Sequence, residues 1–143
     1  MRAVLDTNVI VSALIWGGTP FKFLQAAIDG DITLYTSPAL LAELRDVLAR
    51  DHLAKRLAQQ QTAVEEAIRL YAEMTILVTP LSVPHAVPND IDDEQVIAVA
   101  LAAEAALIVS GDADLLVLHP WQGIQILNAA EALQFVLNAN PHT

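Results

Sequence analysis

Residues 3–16 read AVLDTNVIVSALIW, and the rest of the chain is interpreted outward from them. The apolar run 3–5 gives way to Asp6-Thr7-Asn8, the pattern of a buried strand opening into the polar start of a helix. The apolar stretch from Val9 to Trp16 then stops at Gly17-Gly18. Thr19-Pro20 has the form of a helix cap followed by proline at the first helical position, and apolar residues recur at helical spacing until Gly30. Residues 32–36 are β-branched and aromatic, which suits a second strand. Ser37-Pro38 repeats the cap-and-proline signal ahead of a helix running to about residue 50, and further helices are expected over 51–60 and 62–73.

The second half continues the alternation. Strands are expected at 76–78, 107–110 and 124–127, and helices at 92–104, 112–117 and 129–137. A loop over 79–91, with prolines at 80, 84 and 88, is longer than a simple connection requires. Strands alternating with helices predict a parallel sheet covered on both faces, because parallel neighbours need crossover connections. The expected fold class is therefore α/β, a three-layer α/β/α sandwich forming one domain over residues 1–143.

Composition narrows the chemistry. A hydrophobic content of 55% supplies a core and excludes global disorder. Seven Lys and Arg against 17 Asp and Glu give a net charge of −10, the wrong sign for a protein that holds nucleic acid by surface charge alone. All seven cations fall at or before Arg69, so residues 70–143 carry acids and no Lys or Arg. The absence of cysteine removes disulfide scaffolds, thiolate nucleophiles and cysteine-based zinc sites. Histidines at 52, 85, 119 and 142 are too widely spaced for a zinc motif, so any metal must rest on oxygen. The longest apolar run, residues 96–103, is far short of the ~18 residues of a membrane span. Asp6 interrupts the region where a signal peptide would be continuous, and a cytoplasmic protein with no membrane partner is expected.

Ligands of open parallel sheets bind beyond the carboxyl ends of the strands. Asp6 follows the first strand directly, and Asp112, within Ser110-Gly111-Asp112-Ala113-Asp114, follows the fourth in the same way. Asp93 begins the helix face defined by Val96, Ile97 and Ala100, which packs on the sheet. Glu43 sits at the edge of its helix's apolar stripe, where it could reach inward. Each position has a plainer role. An Asp after a strand is often a helix cap, the run at 90–94 suits a solvated helix start, and a lone Glu such as Glu43 is usually on the surface. Trp16 and Trp121 read as packing residues and His85 and His119 as loop or surface residues. Carboxylates that do converge repel, and a divalent cation is the usual remedy; oxygen donors favour Mg²⁺ or Mn²⁺. Such a cation can orient a phosphodiester and activate a water.

VLDTNVIVSALIW at the start, SPALLAELRDVL in the middle, and DDEQVIAVALAAEAALIVSGDADLL in the second half resemble the PIN-domain ribonucleases, in order and over nearly the whole chain. The similarity is greatest to the VapC-like toxin components of toxin–antitoxin pairs. The resemblance implies a Mg²⁺- or Mn²⁺-dependent endoribonuclease that uses a metal-activated water, with an RNA substrate and a cognate antitoxin protein. It implies Asp6, Glu43, Asp93 and Asp112 as catalytic metal ligands, Asp114 as an accessory ligand, and Asn8 and Ser110 as supporting polar residues. The register among Asp92, Asp93 and Glu94 stays open. Two departures remove positive charge beside the site: Asn89 stands where the subgroup commonly has arginine, and Ala113 where it commonly has lysine. Lys22, Arg45, Arg50, Lys55 and Arg56 remain as candidate phosphate contacts, the last three equally readable as a solvated helical face.

Two other classes compete. One is a non-catalytic PIN-like module working through protein contacts, which the missing basic residues favour. The other is an aspartyl phosphotransferase of the haloacid dehalogenase type, which wants a second aspartate where this chain has Asn8. The apolar surplus, including the C-terminal helix, is compatible with a homodimer or an antitoxin-covered surface.

Overall fold

The computed structural model describes residues 1–84 and 91–139, the side chains of residues 91 and 92 excepted. Five strands form one parallel sheet: β1 (Arg2–Leu5), β2 (Thr33–Thr36), β3 (Thr75–Leu77), β4 (Leu107–Val109) and β5 (Gln125–Leu127). Eight helices are described between and after them: α1 (Thr7–Ile15), α2 (Gly18–Ile28), α3 (Pro38–Leu48), α4 (Asp51–Gln59), α5 (Val64–Glu73), α6 (Ile91–Ala102), α7 (Ala113–Leu116) and α8 (Ala129–Ala139). The strands lie in the order β3-β2-β1-β4-β5. The chain therefore winds outward from β1 to β3, returns to the middle, and winds the other way through β4 and β5. The reversal falls between β1 and β4, where the divergence of the crossover connections leaves a crevice at the carboxyl ends of the strands.

Alternation of side chains along the strands divides the core in two. Ala3 and Leu5 of β1 and Leu107 and Val109 of β4 face a large cluster that includes residues of α1, α2, α3, α5 and α8. Val4 and Ile108, between them in sequence, face a second cluster built on α6, α7 and β5. The register pairs Ala3 with Leu107, Val4 with Ile108 and Leu5 with Val109. A one-residue slip would exchange the two sets of side chains between differently shaped cores, so packing holds the register firmly. Residues 3–5 of β1 and all of β4 are buried on both faces, which explains why they read as unbroken apolar runs.

Local capping agrees with the expected elements in most places. The Leu40 amide donates to Ser37 Oγ at 3.2 Å, and Pro38 occupies the first turn of α3, where its missing N–H costs no helical bond. The start of α2 differs from the Thr19 cap expected. The helix begins at Gly18 with Gly17 as its cap, so Thr19 and Pro20 lie inside the first turn. Gly17 and Gly18 have φ of +75° and +63°, a left-handed geometry that glycine adopts without penalty, and the glycine pair rather than the threonine turns the chain. The loop from residue 79 can be followed only to Pro84; Pro88 and Asn89 lie outside the described residues.

Ile108 is fully buried in the sheet whereas Leu81 is fully exposed. Ile108→Ala should lose about 2–5 kcal/mol of unfolding free energy in urea titrations. Leu81→Ala should stay within about 0.5 kcal/mol of wild type. Similar losses at both positions would contradict the two-sided burial of β4.

Candidate metal centre

β1 passes directly into Asp6 at its carboxyl end, and β4 leads to Asp112 through Ser110 and Gly111. Asp6 caps α1: its carbonyl accepts from the amides of Val9 and Ile10, and its own amide donates to Val109 on β4 at 3.0 Å. The side chain is thus anchored by backbone on both sides of the crevice. Asp112 caps the short helix α7, its Oδ1 accepting from the Asp114 amide at 2.8 Å. Asp93 lies in the first turn of α6 and is only 4% exposed. One carboxylate oxygen from each of Asp6, Asp93 and Asp112 lies within 4.8 Å of the others.

Three acids so close are electrostatically costly. Two full charges at 4.8 Å repel by roughly 3 kcal/mol at an effective dielectric constant near 20. The protein eases this cost in two ways. Burial pushes the Asp6 carboxyl above its ordinary range, and the charge on Asp112 adds to that, so the proton is retained longer. Ser110 opposes the shift by donating its hydroxyl to Asp6 Oδ2 at 2.7 Å, with the amides of Thr7 and Asn8 acting in the same direction. Ser110 Oγ in turn accepts from the Asp112 amide at 3.0 Å. A fully buried serine therefore ties the first acid to the loop carrying the third.

The remaining expected site residues are placed as follows. Glu43 is half-buried on α3 and lines a groove with Asp46 and Arg50; it stands outside the 4.8 Å group. Asp114 is exposed on α7, also outside it. Asn8 is exposed, and its backbone amide rather than its side chain acts on Asp6. Ala113 is exposed beside Asp112 and brings no charge, while Asn89 lies outside the described residues. Within the 90–94 run Asp93 joins the group, and the Asp92 side chain is not among those described.

Several features were not anticipated. Glu94 is buried next to Asp93 rather than solvated, and Thr7 and Thr36 are buried near the strand ends with hydroxyls that have no hydrogen-bond partner in the structure. Their only sequence signal is position, immediately after β1 and at the end of β2. Trp16, expected to pack, is 61% exposed. Arg45, a candidate phosphate contact, is bound by Glu65 through two hydrogen bonds of 2.7 and 3.3 Å. His119 lies at the surface as expected, and its Nδ1 also accepts from the Ile126 amide at 3.0 Å.

The PIN domain family model matches residues 2–114, and the chain belongs to that family. An uncharacterized protein of Methanocaldococcus jannaschii is 32% identical over 120 residues, covering 83% of this chain and 76% of that protein. Among solved structures, a chain of VapBC2 from Rickettsia felis, in a complex bound to a DNA fragment from its promoter, superposes with a TM-score of 0.58. That match has 15% identity and covers 90% of this chain and 98% of the other, a likeness of fold. No single helix among the described residues is long and apolar enough to cross a membrane.

The raised carboxyl of Asp6 has a thermodynamic consequence. Between the ordinary value of 3.8 and the raised one, the native protein holds a proton that the unfolded chain has released. The stability contributed by Asp6 is therefore present below this window and falls as pH rises through it. In excess chelator, the stability advantage of Asp6→Asn over wild type should grow as pH climbs above about 4 and then level off. Urea unfolding of both proteins from about pH 4 to about pH 8 measures this difference, and a constant difference would contradict the assigned environment.

Proposed function

We propose that the protein is a divalent-metal-dependent endoribonuclease and the toxin of a toxin–antitoxin pair. The observation that carries the reading is the meeting of Asp6, Asp93 and Asp112 within 4.8 Å at the reversal point of a parallel sheet. Membership of the PIN domain family supports nuclease chemistry. The fold likeness to a chain of VapBC2 supports pairing with an antitoxin. Exposed apolar side chains, among them Ile28, Leu81 and Val117, suit a protein partner or a second copy of the chain.

The donor set fits the metal. Hard carboxylate oxygens without cysteine or histidine select Mg²⁺ or Mn²⁺ over softer ions. Asp6, Asp93 and Asp112 would hold the ion, with Glu43 and Asp114 as outer acids. When bound, it would supply Lewis acidity toward a phosphodiester and lower the pKa of a water. The chain's own residues provide the frame. Ser110 fixes the orientation of Asp6 and the Asp112 loop, and burial of Asp6 and Asp93 keeps competing water off their carboxylates. No side-chain nucleophile is needed: a water would serve as the nucleophile, and the RNA 2′-hydroxyl would take no part.

Asp6→Asn and Asp93→Asn should each abolish Mg²⁺- or Mn²⁺-dependent cleavage of single-stranded RNA while the circular dichroism spectrum stays that of wild type. Products should carry 5′-phosphates. Cleavage that persists in excess chelator, or products ending in 2′,3′-cyclic phosphate, would overturn the mechanism. Intact RNA with metal present would favour the protein-binding module instead.

A further inference from the structure

The cations of this acidic chain are unevenly satisfied. Arg2, Arg45 and Arg69 form ion pairs with Glu104, Glu65 and Glu73. Lys22, Arg50, Lys55 and Arg56 form none among the described residues, and all but Lys22 lie on α4 or at its cap. Arg50 shares a groove with Glu43 and Asp46, which leaves Lys55 and Arg56 as the cations of the helix outside that acidic groove.

Arg56 lies over the indole of Trp16, its guanidinium carbon 4.6 Å from the ring centroid. Trp16 caps the carboxyl end of α1, and the Gln60 side chain at the end of α4 donates to the Ile15 carbonyl at 2.8 Å. The two helix ends are therefore tied together, and the ring and the guanidinium are held in place before any ligand arrives. A residue serving only to join α1 to α4 would be covered, yet Trp16 remains 61% exposed. With Arg56 on one face, exposure of that extent leaves the opposite face to solvent. Gly17, which follows, carries no side chain, and a Cβ built there would meet nothing within 4 Å.

A rigid indole with one open face, backed by a guanidinium whose chain neighbour Lys55 has no ion pair among the described residues, matches a flat aromatic ligand attached to an anion. Asp6 and Trp16 cap the two ends of α1, and the ten-residue interval spans about 15 Å at the helical rise. We infer that Trp16, backed by Arg56 and with Lys55 as the neighbouring cation, is a stacking platform for one unpaired base of a single-stranded RNA whose backbone reaches the carboxylates. The inference rests on the ribonuclease reading for the identity of the ligand. A protein segment is the competing occupant, and the experiment separates the two.

The test uses the full chain in excess chelator, so that it does not depend on the metal. In a Trp121→Phe background Trp16 is the sole tryptophan, and its fluorescence is followed while a short oligoadenylate is added. Saturable quenching is expected with oligoadenylate, and none with an abasic strand of equal length and charge or with polyglutamate. Fluorescence anisotropy of a labelled oligoadenylate, with Trp121 intact, should show binding weakened at least about fivefold by Trp16→Ala and largely retained in Trp16→Phe. Two phosphate contacts predict a log–log salt slope of about −1.4. Equal binding of the abasic strand, quenching by polyglutamate, or unchanged affinity in Trp16→Ala would each overturn the platform. If oligoadenylate stacks on Trp16 but is never cut when Mg²⁺ is added, the ribonuclease reading fails and the platform stands. If RNA is cut and Trp16→Ala leaves KM unchanged, the platform alone fails.

Discussion

Mutual repulsion of the acids at the crevice between β1 and β4 is the constraint on which the structure turns. Asp6, Asp93 and Asp112 are held at a separation that water-exposed side chains would relax by moving apart. They are prevented from moving apart because each starts a helix fixed by its packing. The Asp6 amide is bonded to Val109, the Asp112 amide to Ser110, and Asp93 is buried on a helix whose next turn enters the core. The Ser110 side chain joins two of these supports. Its hydroxyl accepts from one acid's backbone and donates to the other acid's carboxylate, so the two loops cannot shift independently.

Holding the acids together costs stability, and burial in the sheet offsets it. β1 and β4 run adjacent and parallel at the centre with both faces covered, so their backbone bonds are satisfied and their side chains fill two separate cores. This is the general arrangement by which a functional site carries strain that rigid surroundings tolerate. Asp6 and Asp112 follow strands whose positions are over-determined by packing, and the chain's freer surfaces lie elsewhere, at the edge strand β3 and at the end of α1.

The alternation of apolar runs and capped helices made the α/β architecture legible, because each signal is local: β-branched runs for strands, Ser37-Pro38 for α3, and glycine at helix ends. Asp6 and Asp112 were legible for the same reason, since both follow a strand and strand ends share one edge. Asp93 needed one further step, the direction of its helix face relative to Val96, Ile97 and Ala100. The residues that escaped are set by tertiary neighbours. The exposure of Trp16 depends on how α4 meets the end of α1, and the pairing of Arg45 with Glu65 spans 20 positions. Glu94 looked like part of a solvated helix start, yet the approach of α6 to the sheet buries it. Glu43 shows the opposite limit. Its place near an apolar stripe fitted an inward carboxylate, and in the structure it is half-buried along a groove with Asp46 and Arg50, outside the group of three acids.

The central claim is that the carboxylates form a cation site belonging to the folded state, and thermal unfolding with and without Mg²⁺ tests it without any substrate. For a dissociation constant on the order of 1 mM, ~10 mM Mg²⁺ adds about 1.4 kcal/mol to the native state. In a domain of this size the melting temperature should rise by roughly 3–6 °C beyond a control matched in ionic strength with monovalent salt. Asp6→Asn should melt higher than wild type without metal, since one repelling charge is gone, and should lose most of the magnesium response. Equal shifts from magnesium and from the salt control in wild type, with Asp6→Asn behaving identically, would show that the acids are not a metal site.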